Sequence, residues 1–342
     1  MYSFTNDYNE TAHPILLEAL MTASQQKNGG YGLDNYCEKA TNQIKKILQS
    51  PDSAVHFLPG GTITNLTFIA HTLRPYQAVI AAESGHIAVH ETGAIEGTGH
   101  KVITVKCTEG KLTPELIKPV LEEHCDEHMV QPKLVYISNT TELGTIYSKD
   151  ELQKLYKFCQ ANNLYLYLDG ARLAMALTAP DNDIEFTDLA KYTDAFYIGG
   201  TKVGAFAGEA LVINNQVLNY DFRFTMKQKG AMMAKGWILG VQFLTLMQNN
   251  LYQELGNHSN QMALQAKAIF TQYGFTFAEK PQTNQLFVNI PDNIATEITK
   301  HFEVYSFGKP NSTHTCLRFC TSWATTQDDI TRLKHTIDKI IS

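Results

Sequence analysis

Short apolar runs of strand character recur along the first two thirds of the chain, separated by stretches whose apolar positions return at helical spacing. The strand-like runs fall at 54–58, 78–82, 101–105, 133–137, 164–168, 196–198 and 209–213. Between them the spacing predicts helices from Pro14, whose ring suits a first turn, over 65–70, over 87–95, from Thr113-Pro114-Glu115, and up to Asn162 from a capping-box pattern at Ser148 and Glu151. Strands alternating with helices predict an α/β fold, a mainly parallel sheet covered on both faces, with ligands at the carboxyl ends of strands. The apolar stretch from about Ala231 to Leu251 reads as one long connector helix. Beyond it, strand-like runs at 285–289 and 315–319 and helical patterns at 263–273 and 328–341 predict a smaller α+β unit. Residues 1–240 are therefore expected to form an N-terminal arm and a large domain, and residues 241–342 a small C-terminal domain.

Composition adds little to this picture and removes several alternatives. With 342 residues, 44% of them hydrophobic and 18% charged, the chain can bury a large core and shows no low-complexity tract. The net charge of -6 excludes a general nucleic-acid or anionic-membrane binder, which needs clustered cations. Six cysteines (Cys37, Cys107, Cys125, Cys159, Cys316, Cys320) include no C-x-x-C pair, so reduced thiols are expected. No basic leader or membrane-length apolar run is present, and a cytoplasmic protein is expected.

Two strand ends carry the first chemical hint. Leu164 to Leu168 leads into Asp169-Gly170-Ala171-Arg172, and Phe196-Tyr197-Ile198 leads into Gly199-Gly200-Thr201-Lys202. A lysine in such a place is ordinarily a surface amine or an ion-pair partner. Partly desolvated in a pocket, it can condense with an aldehyde. A third feature joins them: Pro59-Gly60-Gly61-Thr62 stands between a strand and a helix, where free backbone N–H groups, bare glycines and a hydroxyl can cradle a phosphate. Pyridoxal phosphate needs all three: an amine, a carboxylate beside its ring nitrogen and a phosphate cradle. The glycine-rich Asn28-Gly29-Gly30-Tyr31-Gly32 is either a plain loop or one that closes over a site. A competing pattern, His86 and His90 at i, i+4, would suit a zinc hydrolase but lacks the adjoining glutamate of His-Glu-x-x-His. A silent binding protein on the same fold is the other reading from a different class.

Taken in order, these motifs resemble the low-specificity L-threonine aldolase and β-eliminating lyase family of fold-type-I pyridoxal-phosphate enzymes, over nearly the whole chain. The resemblance implies an aminotransferase-like large domain with a mainly parallel seven-stranded sheet, and a homodimer or homotetramer with active sites at the subunit interface. It implies phosphate contacts at Gly61 and Thr62, and His86, of Ser84-Gly85-His86, stacked on the cofactor ring. Asp169 would hold the pyridinium proton, Arg172 would reach the ring oxygen or the substrate carboxylate, and Lys202 would carry the coenzyme. Arg318 matches the arginine that grips the amino acid's α-carboxylate, and Asn6 falls in the substrate-binding arm. His128 is placed like a histidine that approaches the β-hydroxyl, or is a polar residue of the acidic segment 122–128. One of Arg223, Lys227 and Lys229 would cross to the phosphate of a partner's cofactor. The implied reaction cleaves β-hydroxy-α-amino acids such as L-threonine and L-allo-threonine to glycine and an aldehyde, with His86, His128 or water as the base and Asp169 stabilising the developing charge. Other lyase, racemase or aminotransferase reactions on the same cofactor remain the alternative. The chain also differs from better-known threonine aldolases. It has Asn6-Asp7-Tyr8 where they carry Ser-Asp-Thr, Asn139-Thr140-Thr141-Glu142 where they carry Asn-Thr-His, and Gly200-Thr201-Lys202-Val203-Gly204 around the lysine rather than Ser-Lys-Gly.

Overall fold

A computed structural model describes residues 2–341. The strands are β1 (Tyr2–Ser3), β2 (Ala54–Leu58), β3 (Gln77–Ala82), β4 (Lys101–Val105), β5 (Gln131–Ser138), β6 (Tyr165–Asp169), β7 (Ala195–Gly199), β8 (Glu209–Ile213), β9 (Thr276–Phe277), β10 (Gln285–Pro291), β11 (Phe302–Glu303), β12 (Tyr305–Ser306) and β13 (His314–Cys320). The helices are α1 (Pro14–Ala23), α2 (Asn35–Leu48), α3 (Gly61–Thr72), α4 (His86–Val89), α5 (Pro114–Glu123), α6 (Lys149–Ala161), α7 (Leu173–Leu177), α8 (Phe186–Tyr192), α9 (Phe222–Gln228), α10 (Trp237–Leu246), α11 (Leu251–Gln272), α12 (Asp292–Ile298) and α13 (Gln327–Ile341).

Seven strands form one sheet in the order β2-β8-β7-β6-β5-β3-β4, and β8 alone runs against the rest. This is the α/β architecture that the alternation predicts. Strand periodicity decides what each face carries. Leu166 and Leu168 of β6 and Phe196 and Ile198 of β7 point into one core, beneath α2, α6 and α10. Tyr167 and Tyr197 point to the opposite core with Tyr136 of β5, where Phe68 of α3 and Phe222 of α9 cover them. Asp169, two residues beyond Tyr167, falls on this second face.

The smaller unit is an antiparallel sheet, β12-β13-β10-β9, packed on α11, α12 and α13. Its core includes Phe4, because β1 pairs in parallel with β11 and the Phe4 carbonyl accepts the Cys320 N–H at 2.9 Å. The arm's start therefore packs with the small domain, and the two cores part company within α11, after Leu255 and before Met262.

Two predicted helices are interrupted. The helix expected over 87–95 is a single turn that ends at Val89, and Thr92 (φ 52°) and Gly93 (φ 71°) beyond it are left-handed and keep it from resuming. The expected connector breaks between α10 and α11, where Asn249 and Asn250 take φ of 52° and 62°. Asparagine tolerates that region better than most residues, and neither break alters the apolar periodicity that predicted helix. The Ser148–Glu151 capping box is present. All six cysteines are free, and among the described residues no helix is long and apolar enough to cross a membrane.

Close helix packing depends on small residues. A Cβ at Gly256 of α11 would stand 2.5 Å from the Ala174 carbonyl oxygen of α7, whereas one at Gly97 meets nothing within 4 Å. We expect Gly256→Ala to cost about 1–3 kcal/mol and to lower the thermal midpoint by roughly 3–8 °C, read by circular dichroism. Gly97→Ala is the control that should leave it unmoved, and equal midpoints would remove the close-approach account.

Candidate active site

The site is built where β6 and β7 end. Gly170 and Gly199 let these ends approach: a Cβ at Gly170 would lie 1.9 Å from the Tyr197 carbonyl oxygen, and one at Gly199 would lie 2.5 Å from that of Ala171. Only glycine permits this approach, and it brings the carboxylate that ends β6 and the lysine after β7 to the same end of the sheet.

Asp169 is buried and receives four donors. The Tyr197 hydroxyl gives to Oδ1 at 2.5 Å and the Ala171 N–H at 3.0 Å; the Tyr136 hydroxyl gives to Oδ2 at 2.6 Å and the Asn65 amide at 3.0 Å. Burial pushes its pKa up, but His86 and these hydrogen bonds outweigh it and hold the carboxyl below its ordinary value. All three side-chain donors come from the face that strand periodicity assigns to Asp169, or from the helix covering that face.

That helix is α3, and its N-terminus is the predicted phosphate loop. Gly60 is extended at the cap with no side-chain cap bond, so the first N–H groups of the helix are free. Thr62 is exposed beside them, and a Cβ on Gly61 would meet the Tyr197 hydroxyl at 3.3 Å. The cradle thus adjoins the tyrosine that holds Asp169.

Lys202 is half-buried with its amine 5.9 Å from the Tyr8 ring, and among the described residues no hydrogen bond or ion pair holds it. Burial first, then the nearby Arg172, pulls its pKa down; Asp7, Asp169 and Glu209 oppose this. Glu209 anchors the lysine's turn by accepting the Gly200 N–H at 2.8 Å and the Thr201 hydroxyl at 2.9 Å. Burial drives that carboxyl up to about 7.

Arg172 donates in bidentate fashion to buried Asp7, Nε to Oδ2 at 2.7 Å and Nη2 to Oδ1 at 3.0 Å. Asp7 also accepts from Asn284 at 2.9 Å. Burial raises the Asp7 carboxyl, yet Arg172 and Lys202 hold it below its ordinary value. Arg318 lies on β13, gives Nη2 to the Thr5 carbonyl at 2.7 Å, and keeps a buried Nε–H with no partner among the described residues. Asn6 lies in the same arm, its Oδ1 accepting the Tyr8 N–H at 3.0 Å. His86, after β3, gives Nδ1–H to Glu91 at 2.8 Å, and its backbone N–H reaches Glu142 at 3.0 Å.

The chain thus brings Gly61, Thr62, His86, Asp169, Arg172 and Lys202 to one end of the large sheet, where the Asn6 arm and Arg318 of the small sheet join them. His128 is not brought to its own chain's site. Its side chain is 85% exposed against Asp126, three residues before β5 begins, while the site lies beyond Ser138 at the other end of that strand, roughly 23 Å away. Arg223 and Lys227 are also remote from their own chain's cradle: Arg223 gives to the Tyr31 carbonyl at 3.0 Å and Lys227 lies over the Tyr31 ring. The same helix α9 hydrogen-bonds through Thr225 to His71, about 15 Å along α3 from Gly61. The glycine-rich loop at Tyr31 packs against these cations. Among the described residues no three His, Cys, Asp or Glu side chains are grouped to hold a metal ion, the His86–His90 pair included.

Asn65, Glu91, Tyr136, Tyr197 and Glu209 escape a reading by motif, and Asp7 keeps the aspartate of the Ser-Asp-Thr motif without an expected role. The tyrosines could have been found by counting two residues back from each strand end. Asn65 lies one helical turn after Gly61, and the others carry no local signal.

Comparison with known proteins fits this geometry. The model of the β-eliminating lyase family matches residues 11–293. A threonine aldolase structure from Leishmania major covers all of both chains with a TM-score of 0.98 and 46% identity. A low-specificity L-threonine aldolase of Pseudomonas aeruginosa is 27% identical over 337 residues, 97% of this chain and 95% of that protein. An aspartate aminotransferase of Thermus thermophilus, 12% identical with a TM-score of 0.74, shares the fold. A family model spanning most of the sequence and a full-length relative at 46% identity place this chain in the β-eliminating lyase family.

Proposed function

We propose that this lyase cleaves β-hydroxy-α-amino acids, L-threonine and L-allo-threonine among them, to glycine and an aldehyde, using pyridoxal phosphate. The observation that carries the reading is the full-length likeness to the Leishmania major threonine aldolase. The donor set suits the coenzyme: an unpartnered half-buried amine, a buried ionised carboxylate, and an uncapped helix start with no Cβ at its first residue.

Pyridoxal phosphate, when bound, supplies an aldehyde for condensation with amines and a ring that takes up the electron pair released at Cα. Lys202 would hold its aldehyde carbon, Gly61 and Thr62 its phosphate, Asp169 its ring nitrogen and His86 its ring face. Burial favours the neutral Lys202 amine, the form able to add to a carbonyl carbon. Asp169 stays ionised and so favours a protonated ring nitrogen, which stabilises charge that appears only as the bond breaks. Arg318, with its spare Nε–H, and Arg172, made rigid by Asp7, would grip the α-carboxylate. The free Nε2 of His86 would accept the β-hydroxyl proton. The hydroxyl oxygen then forms the new C=O as Cα–Cβ breaks, the aldehyde departs, and a proton delivered to Cα completes glycine.

We further propose a cytoplasmic homo-oligomer. Tyr220 and Phe224, 77% and 76% exposed, flank Arg223 and Lys227 and form an apolar face suited to a second copy. The latter two, with Lys229, are the cations able to serve the partner's phosphate.

Protein incubated with the coenzyme should be yellow and should yield acetaldehyde and glycine from L-threonine. Lys202→Ala should be colourless and fall to the rate of the coenzyme alone. Pyruvate from serine, without acetaldehyde from threonine, would replace the aldolase reading by β-elimination. In sedimentation the wild type should be a dimer or tetramer. The double substitution Tyr220→Asp with Phe224→Asp should give monomers that bind coenzyme more weakly. A wild-type monomer with full activity would overturn the shared site.

A further inference from the structure

Behind His86 lies a polar chain that reaches Asp169. The Glu91 side chain is fully buried, and its Oε1 accepts both the His86 Nδ1–H at 2.8 Å and the Asn65 amide at 2.8 Å. The same amide nitrogen gives its second hydrogen to Asp169 Oδ2 at 3.0 Å, and the Asn65 oxygen accepts the Tyr167 hydroxyl at 3.0 Å. Every group of Asn65 is thereby assigned, since only an amide nitrogen can face two carboxylates. Glu91 Oε2 is buried and has no hydrogen-bond partner among the described residues. A buried carboxylate left half-satisfied is costly, and a positively charged imidazole is the group that would offset it.

We propose that Glu91 is the positioning residue for His86, holding the imidazole as the Nδ1–H tautomer with Nε2 turned free as a proton acceptor, and coupling it through Asn65 to the carboxylate at the ring nitrogen. A carboxylate only accepts hydrogen bonds, so Nδ1 must donate and Nε2 is left with its lone pair whenever the ring is neutral. When Nε2 takes a proton, the imidazolium faces the Glu91 charge directly. This division of roles is that of a base held by a buried acid. The end of α4 at Val89 serves the arrangement, because it lets Glu91 turn back to His86 instead of continuing along a helix face.

The other charged groups facing the imidazole act with Glu91 or against it. Asp169 raises the pKa of His86 with Glu91, Lys202 lowers it, Glu142 lies close enough to feel the imidazole's charge, and His90 is a neighbour whose ring centroid is 5.6 Å away. Burial alone would depress the imidazole, yet its pKa is raised above the ordinary 6.5. Activity that needs neutral His86 is therefore lost as pH falls through a value above 6.5.

The inference rests on His86 as the base of the aldolase reading, so the test begins with a measurement that needs no reaction. In coenzyme-free protein with labelled histidines, nuclear magnetic resonance should show His86 as the Nδ1–H tautomer titrating above 6.5. Glu91→Gln keeps an acceptor and the side-chain volume but removes the charge, and should lower that titration by about one unit. With coenzyme bound, Glu91→Gln should keep its colour and its KM for threonine. Its kcat should fall roughly tenfold or more, and the acid limb of its pH profile should move down with the imidazole. An unmoved titration in folded Glu91→Gln overturns the proposal, whatever the reaction proves to be. A shifted titration with an unmoved acid limb also overturns it. If that variant does not fold, a wild-type imidazole that titrates at or below 6.5, or as the other tautomer, is sufficient to reject it.

Discussion

A negative charge held almost out of water governs this molecule's architecture. Taking a carboxylate into a protein interior costs several kcal/mol unless donors replace the lost hydration. Asp169 has four, and each is supplied by a different structural fact: the pleat of β5 and of β7, the turn after β6, and the second turn of α3. Three of those elements are also site walls. The conditions that keep Asp169 ionised therefore fix the positions of the helix N-terminus, the Lys202 turn and the face reached by His86. Stability and chemistry draw on the same hydrogen bonds, and a change to Tyr136, Tyr197 or Asn65 would disturb both.

The glycines on either side of this charge are what make it reachable. β6 and β7 run in parallel with Leu168 beside Phe196, so β7 continues two residues past the level at which β6 ends, and the backbone after Asp169 touches that of β7. Side chains at Gly170 or Gly199 would wedge the turns apart and carry Lys202 away from Asp169. Glu209 completes the device from the one reversed strand, since β8 runs back from the turn and brings a carboxylate against Gly200 and Thr201. The antiparallel strand thus serves the site by direction, returning the chain to the point it has just left.

The sheet and the motif residues were legible in the sequence because both are written in local patterns. Runs of apolar residues ending in Asp169 or in Gly199-Gly200-Thr201-Lys202 identify strand ends, and the ends of parallel strands share one edge of a sheet. Helix ends were less legible where a polar residue in the left-handed region interrupts an otherwise helical stretch, as at Thr92 and at Asn249-Asn250. His128 shows a different limit. Its distance along the chain from Leu134 is small, but it precedes the strand whose far end carries the chemistry, and sequence separation does not state which end of a strand a residue joins. Asp7 and Glu91 were hidden for another reason: their roles are defined by Arg172 and His86, partners set by tertiary folding.

Asp7 also explains why the N-terminal arm belongs to the site. Phe4 anchors the arm in the small domain's core, and the His13 N–H gives to the Gly204 carbonyl at 2.8 Å, just beyond Lys202. Between these two fixings the arm crosses from one core to the other, and Asp7 lies buried on that crossing, neutralising Arg172 and tied to Asn284 of the small domain. Arg318 holds the same arm through Thr5. The two arginines that would receive a carboxylate are therefore joined by a single short segment whose ends belong to different cores. A shift of the small domain cannot move Arg318 alone; it draws on the arm, and through Asp7 it bears on Arg172. The spacing between the two guanidinium groups is thus set by a covalent strap together with an ion pair, an arrangement stiffer than packing between the domains would supply.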